Sequence, residues 1–568
     1  MQQRDGTENS MNYPTCQSRL ILRYLLQIAL ALLGSLAFSI SIRAAAPERC
    51  DAEPDQPLED EQFRVGSIEL RRLNVFNEEQ AVSWPYRLAN QFHVVTKDQL
   101  IRNQLLFKPG DVIDRTRLLE SERWLRRNEY LSNAAIQVDD EQAQCNQQRN
   151  LIVTTQDQWS LTPHLSLASG AGETRLGLGI TEKNLLGQGI ALRIRRVENI
   201  DRDSNQFGIS SEHIRGSRYA GRMWWSDSND GDYRQASFGK PFYALDAARS
   251  WQLELSDRTW RQGRFSGGER LSERLVSSKS ISVVSGHLLK ATSISAHRWF
   301  WGARVSREAK SEEVLLDELP QLGIERRQNL AFVGLQWVED QFLSTSGVDL
   351  TGLPEDIRIG TNAWMYSGYA QGDGVASRPW WKLGAAMAPI GNQRELLELS
   401  ISSEGFKGID ETPSEFDVSI SFRWLSKRGN GLAYQLKGEL GRSKQPFTGS
   451  ERYLGSMSGL RGYEERLVAG ATSTKWSIER RQMSSKEWFR IARLGWSFYA
   501  DAGRVWDSRT ASDLGERWLS SVGLGFRIVP TRAEKGKVLH IDFAVPLSQR
   551  DHPEVGGYEI SVAIRDGL

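Results

Sequence analysis

Hydrophobic and polar residues alternate one by one along many short segments of this chain. Between residues 494 and 503, Leu494, Trp496 and Phe498 fall on one phase and Asp501 on the other. A period of two is that of a β-strand whose successive side chains point to opposite faces, so each segment is predicted to be a strand with one apolar face. From Trp159 onward we count about 16 to 20 such segments, which predicts a mainly β architecture.

The polar phase of these segments often carries charge. Ile190, Leu192 and Ile194 alternate with Arg193 and Arg195, and the chain is hydrophilic on average, with a mean hydropathy of −0.47. In a transmembrane β-barrel the apolar phase faces lipid and the polar phase faces the interior. A soluble β-sandwich would also alternate, but its outer faces would be polar. We therefore expect a transmembrane antiparallel β-barrel over residues 157–568.

One long apolar run, 25–42, lies close to the start of the chain. Arg19 and Arg23 precede it and three alanines, 44–46, follow it. A basic flank, an apolar core and small residues form the layout of a secretory signal, so residues 1–46 are predicted to be a signal peptide. The alternative is an uncleaved anchor, because the run is just long enough to span a bilayer.

Two cysteines, Cys50 and Cys145, follow the predicted cleavage region. An exported chain meets an oxidising compartment, so they are candidates for a disulfide, although two free thiols are the open alternative. Residues 47–62 are acidic and contain proline, which predicts a linker.

A small α/β domain is predicted for residues 63–156. Thr96 and Asp114 are candidate N-caps of two helices, whereas Pro85 is expected to break any helix in the ambiguous stretch 74–95. The predicted order is strand, helix, helix, strand and strand, at 63–72, 97–107, 115–128, 134–138 and 150–156.

Two motifs stand in the last quarter of the chain. Residues 445–470 are rich in glycine and serine, which predicts a long loop, and they contain Leu460-Arg461-Gly462-Tyr463. The alternating segment that follows contains Tyr499-Ala500-Asp501-Ala502-Gly503, with Asp501 on its polar phase.

These motifs resemble the (V/I)RG(F/Y) and FxDxG signatures of the bacterial outer-membrane assembly and secretion superfamily, with leucine and tyrosine as small departures. That superfamily contains BamA-like and TamA-like barrel-assembly proteins and two-partner secretion transporters. The resemblance implies a 16-stranded barrel whose loop folds into the lumen, where Arg461 pairs with Asp501. We expect Glu479 and Asp542 to be further lumenal carboxylates. The excess of candidate segments is expected to form loop hairpins, particularly at 257–280 and 307–326.

The same resemblance extends to residues 63–156, whose element order is similar to a POTRA domain, the periplasmic module that receives client proteins. It implies an outer-membrane location with the domain in the periplasm. The implied partners are membrane lipid, an unfolded or secreted client protein and periplasmic chaperones or accessory proteins.

No pattern of catalytic chemistry is found in the sequence. Gly455-Ser456-Met457-Ser458-Gly459 has methionine where a nucleophile elbow needs serine, and the histidines lack metal-ligand spacing. We therefore expect no enzymatic activity, no catalytic residue, no metal and no cofactor. The net charge of +1 gives no indication of nucleic-acid binding. The favoured function is insertion or translocation of client proteins; the alternatives are a two-partner secretion transporter and a passive outer-membrane channel.

Overall fold

The computed structural model describes residues 62–144, 148–170, 173–198, 202–315, 320–349, 353–373, 377–409, 414–444, 451–456, 458–508, 514–533 and 536–568, and all of them belong to one compact unit. The predicted signal peptide, nearly all of the predicted linker, and Cys50 and Cys145 lie outside these residues.

An α/β domain precedes the barrel. Its four-stranded sheet has the order β2-β1-β4-β3, in which β1 and β4 are parallel and the other pairs are antiparallel. A buried apolar cluster that includes Ile101, Leu125 and Leu151 packs between the sheet and the helices. In chain order the elements are β1 (Phe63–Leu73), α1 (Trp84–Phe92), α2 (Asp98–Gln104), β2 (Val112–Ile113), α3 (Arg115–Arg126), β3 (Leu131–Gln144) and β4 (Gln148–Asp157).

Two of the helix expectations for this domain were wrong. Pro85 lies in the first turn of α1, where its missing N–H is not needed, so it begins a helix instead of breaking one. Thr96 does not cap α2; its hydroxyl donates to Asp157 at 2.9 Å. Asp114 does cap α3, accepting from the amide of Arg117 at 2.8 Å. Within the part of the chain that is described, no helix is long and apolar enough to cross a membrane.

A closed antiparallel barrel follows the domain, and its long strands pair in chain order until β28 meets β5. Short strands β14 (Val314–Leu315) and β23 (Arg452–Leu454) also join it, and β16 (Phe342–Thr345) pairs with β17 (Glu355–Arg358) in a separate hairpin. The long strands are β5 (Leu161–Gly170), β6 (Glu173–Glu182), β7 (Ile190–Glu198), β8 (Asp203–Ser211), β9 (Ala220–Ser228), β10 (Gly231–Lys240), β11 (Arg249–Ser266), β12 (Glu269–Ala291), β13 (Ser295–Ser311), β15 (Leu322–Glu339), β18 (Asn362–Gln371), β19 (Arg378–Gly391), β20 (Glu395–Phe406), β21 (Glu415–Gly429), β22 (Leu432–Lys444), β24 (Val468–Trp488), β25 (Ala492–Ser508), β26 (Leu519–Pro530), β27 (Lys537–Pro546) and β28 (Glu559–Asp566).

The barrel has more strands than expected. Among the described residues 20 long strands form the wall, whereas the resemblance implied 16. The described residues of 257–280 and 307–326 continue wall strands and add none: Asp257 pairs with Lys279 in the ladder of β11 and β12, and Arg307 pairs with Arg327 in the ladder of β13 and β15. The excess segments are therefore strands of the wall, and their number remains even.

On the wall strands, apolar side chains are exposed and polar side chains are buried, which is the reverse of a soluble protein. On β25, Phe498 is 53% exposed, while its neighbours Ser497 and Tyr499 are buried. Ile194 on β7 is likewise 49% exposed. An apolar outer surface around a polar interior is the arrangement of a membrane-spanning barrel.

The α/β domain contacts one end of the barrel, which we call the near rim. It touches six connections there, at 183–189, 212–219, 241–248, 340–361, 489–491 and 531–536. The opposite end, the far rim, carries the 445–467 connection that contains Arg461.

Candidate functional site inside the barrel and at its seam

Arg461 lies inside the barrel and forms a bidentate ion pair with Asp501 on β25. Its Nε donates to Asp501 Oδ2 at 2.7 Å and its Nη2 donates to Oδ1 at 2.8 Å. Ser477 on the adjacent strand donates its hydroxyl to the same carboxylate at 2.7 Å. Both partners are buried, so the contact is of the strong, directional kind.

Three further charged residues surround this pair. Glu479 and Asp542 approach Arg461 Nη1 at 3.6 and 3.9 Å. Arg527 donates to Asp542 at 2.7 Å and lies 3.5 Å from Glu479. Two arginines therefore share three carboxylates in one buried cluster, which ties the loop to three strands of the wall.

The ring of Tyr499 forms a cation–π contact with the guanidinium of Arg461. The guanidinium carbon of Arg461 lies 3.3 Å from the ring centroid of Tyr499, whose hydroxyl donates to the carbonyl of Phe543 at 3.2 Å. The ring lies over Gly523, where an added Cβ would be 2.2 Å from Tyr499 Cζ. Gly503, the last residue of the motif, leaves room for Leu454: an added Cβ would be 3.1 Å from that side chain.

The rest of the loop motif is anchored by other contacts. The amide of Gly462 donates to Glu559 on β28 at 2.6 Å, and Ser456 donates its hydroxyl to the same carboxylate. Tyr463 donates its hydroxyl to the carbonyl of Ser520 at 2.7 Å. Leu460 and Tyr463 belong to a buried apolar cluster. Glu559 thus connects the loop to the last strand of the wall.

The seam between β28 and β5 is the weakest junction of the wall. Only two residue pairs join these strands, Ser561 with Ala168 and Val562 with Leu167. By comparison, β27 and β28 share eight pairs and β5 and β6 share ten. The described ladder between these two strands is therefore the shortest between long neighbouring strands of the wall, and a short ladder exposes strand edge to which a further strand can be added.

Two features limit the seam at its near-rim end. Continuing its register would place Pro163 opposite Asp566, and proline has no N–H to donate. The end of β28 also turns inward: Gly567 adopts a φ of 71° and its amide donates to the carbonyl of Gly536 at 2.8 Å. Leu568 is buried against the inner wall.

A second segment, 340–361, enters the lumen from the near rim. The carbonyl of Val348 accepts from Arg481 at 2.5 Å, and Asp349 accepts from Arg423 at 2.6 Å. On the domain side, Arg126 of α3 makes a bidentate contact with Asp356, at 2.7 and 2.9 Å. The described lumen is therefore occupied from both ends.

The structure brings together all the residues of the two motifs and both of the secondary carboxylates predicted from the sequence. Sequence reasoning missed Arg527 and Glu559, although both lie on the polar phase of alternating segments, which was the available signal. It also missed the 340–361 segment. Among the described residues, no group of three or more His, Cys, Asp and Glu side chains could hold a metal ion.

The chain was compared with known proteins. It is similar in structure to BamA and CdiB. BamA from Haemophilus ducreyi lacking POTRA domains 1–3 matches with a TM-score of 0.39 and 12% identity, over 88% of this chain and 85% of that one. CdiB from Acinetobacter baumannii matches with a TM-score of 0.43 and 13% identity, over 98% of this chain and 99% of that one. CdiB from Escherichia coli matches with a TM-score of 0.37 and 11% identity, over 99% of this chain and 100% of that one. No family model and no curated protein matches the chain. At these identities and TM-scores the likeness does not assign a function.

Proposed function

We propose that this protein is an outer-membrane β-barrel that inserts client proteins into the membrane through its seam. The observation that carries the proposal is the seam of two residue pairs between β5 and β28, set against eight and ten pairs on either side of it. An unpaired strand edge accepts a further strand through backbone hydrogen bonds, which is β-augmentation. A client strand would pair with this edge while its apolar face enters the lipid.

The α/β domain is assigned the role of a POTRA-like domain that receives the client in the periplasm. Its contacts with six near-rim connections support this assignment, because a client arriving at that end of the barrel would meet the domain first. The Arg461 loop, bonded to Asp501 and Glu559, links the interior of the barrel to the last strand. We assign it the role of holding that strand in position while the seam opens.

Two other functions are less well supported. A two-partner secretion transporter would pass its client through the lumen, and a passive channel needs a lumen that stays open. The lumen is occupied by the Arg461 loop from the far rim and by Val348 and Asp349 from the near rim. Neither of these functions requires a short seam.

The test is a disulfide across the seam. In a background with Cys50→Ser and Cys145→Ser, Ala168→Cys with Ser561→Cys would join the two paired residues. The matched control, Ile528→Cys with Leu539→Cys, joins two fully paired neighbouring strands, β26 and β27, and leaves the seam residues unchanged. Insertion of an unfolded β-barrel client into vesicles should stop in the oxidised seam variant, resume on reduction and continue throughout in the control. Full insertion by the oxidised seam variant would reject the proposal.

A further inference from the structure

Helix α1 carries an apolar stripe that no described residue covers. Trp84, Leu88 and Phe92 are spaced four residues apart, so they lie on one face of the helix. Their exposed fractions are 69%, 41% and 75%, and the helix has no buried residue. In a soluble domain these side chains would face the core; here they face outward together.

The opposite side of α1 is the side that contacts the rest of the protein. Asn90 accepts from the amide of Phe76 at 3.1 Å, and its side-chain amide donates to the carbonyl of the same residue at 2.7 Å. Tyr86 stacks on Phe76 with ring centroids 4.8 Å apart. The orientation of the helix is therefore fixed, with the apolar stripe held away from the domain.

The barrel presents a second apolar group beside α1. Trp488 pairs with Ala492, which has the same phase as the outward-facing Phe498, so Trp488 lies on the lipid-facing surface at the near rim. Phe489 and Ile491, in the connection that follows, are 76% and 48% exposed. This group continues the apolar outer surface of the barrel down to the rim.

Two hydrogen bonds join this connection to the helix and to the turn that precedes it. Tyr86 donates its hydroxyl to the carbonyl of Phe489 at 2.8 Å, and Arg490 donates to the carbonyl of Gln80 at 2.7 Å. The Arg490 guanidinium also lies 5.8 Å from the ring of Tyr86. These contacts come from the side of α1 opposite the stripe, and they hold the helix beside the exposed apolar group of Trp488, Phe489 and Ile491.

We propose that α1 is an interfacial membrane anchor: Trp84, Leu88 and Phe92 insert into the membrane leaflet at the near rim, next to Trp488 and Phe489. Short helices with one aromatic and aliphatic face lie in the plane of the membrane surface in this way. Tryptophan also favours the boundary between headgroups and acyl chains. We take the partner to be the lipid bilayer, because α1 is held against the connection that carries the exposed Phe489 and Ile491, at the edge of the barrel's apolar outer surface. This contact would hold the α/β domain against the membrane beneath β24 and β25, the strand pair that carries Asp501.

The experiment places an environment-sensitive fluorophore on the stripe of the full chain. Leu88→Cys and Phe92→Cys, each in the Cys50→Ser and Cys145→Ser background, are labelled and reconstituted into nanodiscs of phosphatidylcholine with or without bromine on the acyl chains. Leu119→Cys is the matched control, since Leu119 is also a helical leucine of the domain and is 43% exposed, close to the 41% of Leu88. Heat-modifiable migration on a gel confirms that each barrel is folded.

Both stripe labels should lose roughly half or more of their emission in brominated bilayers, because interfacial helices lie about 5–10 Å into the headgroup and acyl boundary. The Leu119 label should be unaffected. Equal quenching at all three positions, or none, would overturn the proposal. A blue-shifted emission at positions 88 and 92 without quenching would also overturn it, because a protein segment, and not lipid, would then cover the stripe.

Discussion

Removing the Arg461 side chain should destabilise the barrel by an amount that the contacts of the charge cluster allow us to work out. Without Arg461, Asp542 keeps Arg527 at 2.7 Å and Glu479 keeps it at 3.5 Å. Asp501 keeps only the hydroxyl of Ser477, at 2.7 Å, and would be the one carboxylate of the three without a cation. The loss therefore concentrates on a single buried pair.

Breaking a buried ion pair by removing one partner typically costs about 3–5 kcal/mol, because the remaining charge is uncompensated. We expect Arg461→Ala to fall near 3 kcal/mol, since Ser477 still donates to Asp501. Asp501→Ala should cost a similar amount, because it leaves the Arg461 guanidinium with carboxylates only at 3.6 and 3.9 Å. Ser477→Ala, which removes one hydrogen bond and no charge, should cost about 1 kcal/mol.

The assay is a double-mutant cycle measured by denaturant unfolding of the folded barrel. The Arg461→Ala/Asp501→Ala double variant should be more stable than the sum of the single effects predicts, by about 2–3 kcal/mol, since it removes both charges. The Ser477→Ala variant reports the cost of losing a neutral donor at the same site. If the two single effects add to within about 0.5 kcal/mol, the residues do not interact and the proposed role of the pair is wrong.

Three further predictions concern other parts of the chain. Gly523→Ala should destabilise the barrel by about 1–3 kcal/mol in the same unfolding assay, because its Cβ would overlap the ring of Tyr499; unchanged stability would contradict this close packing. His213, in the near-rim connection 212–219, meets Trp124 of α3 edge-on, with ring centroids 5.8 Å apart. Burial, together with the nearby charge of Arg218, lowers the pKa of His213 from 6.5 to about 4, so its contribution to this contact between the domain and the barrel is complete above pH 6.5 and declines as the pH falls toward 4. Amide hydrogen exchange of α3, corrected for intrinsic rates, should accelerate over that range and do so less in His213→Phe; a flat profile in the unmodified protein would refute it. Cys50 and Cys145 are predicted to form a disulfide that stabilises the protein by on the order of 3–4 kcal/mol, and two free thiols in protein purified under non-reducing conditions would show otherwise.

The alternating pattern predicted the wall strands and the phase that faces inward because both properties are local. On β25 the phase containing Ser497, Tyr499 and Asp501 is the buried one, as the alternation indicated. The number of wall strands could not be predicted from local patterns, and the expectation of 16 came only from the resemblance to the superfamily. Whether a hairpin adds to the wall or extends it depends on its register with neighbouring strands.

The contacts that define the interior could be predicted only in part. Arg461 and Asp501 stand in recognisable motifs, whereas Glu559 contacts the loop from a strand 97 residues farther along the chain. Helix α1 was not predicted, because Pro85 was taken to lie in the interior of a helix, whereas it lies in the first turn. The short seam depends on where β28 ends and turns inward at Gly567, which a single strand's pattern does not contain.

Insertion at the seam is tested most directly by asking which surface of the barrel contacts a client strand. A photo-crosslinking amino acid at Ala168, on the edge of β5, and one at Ile209, on the lipid-facing surface of the fully paired β8, would be compared during insertion of a stalled β-barrel client. The account predicts a covalent adduct between the client and position 168, and none at position 209. Adducts of equal yield at both positions, or at neither, would contradict the claim that the client enters the membrane at the seam.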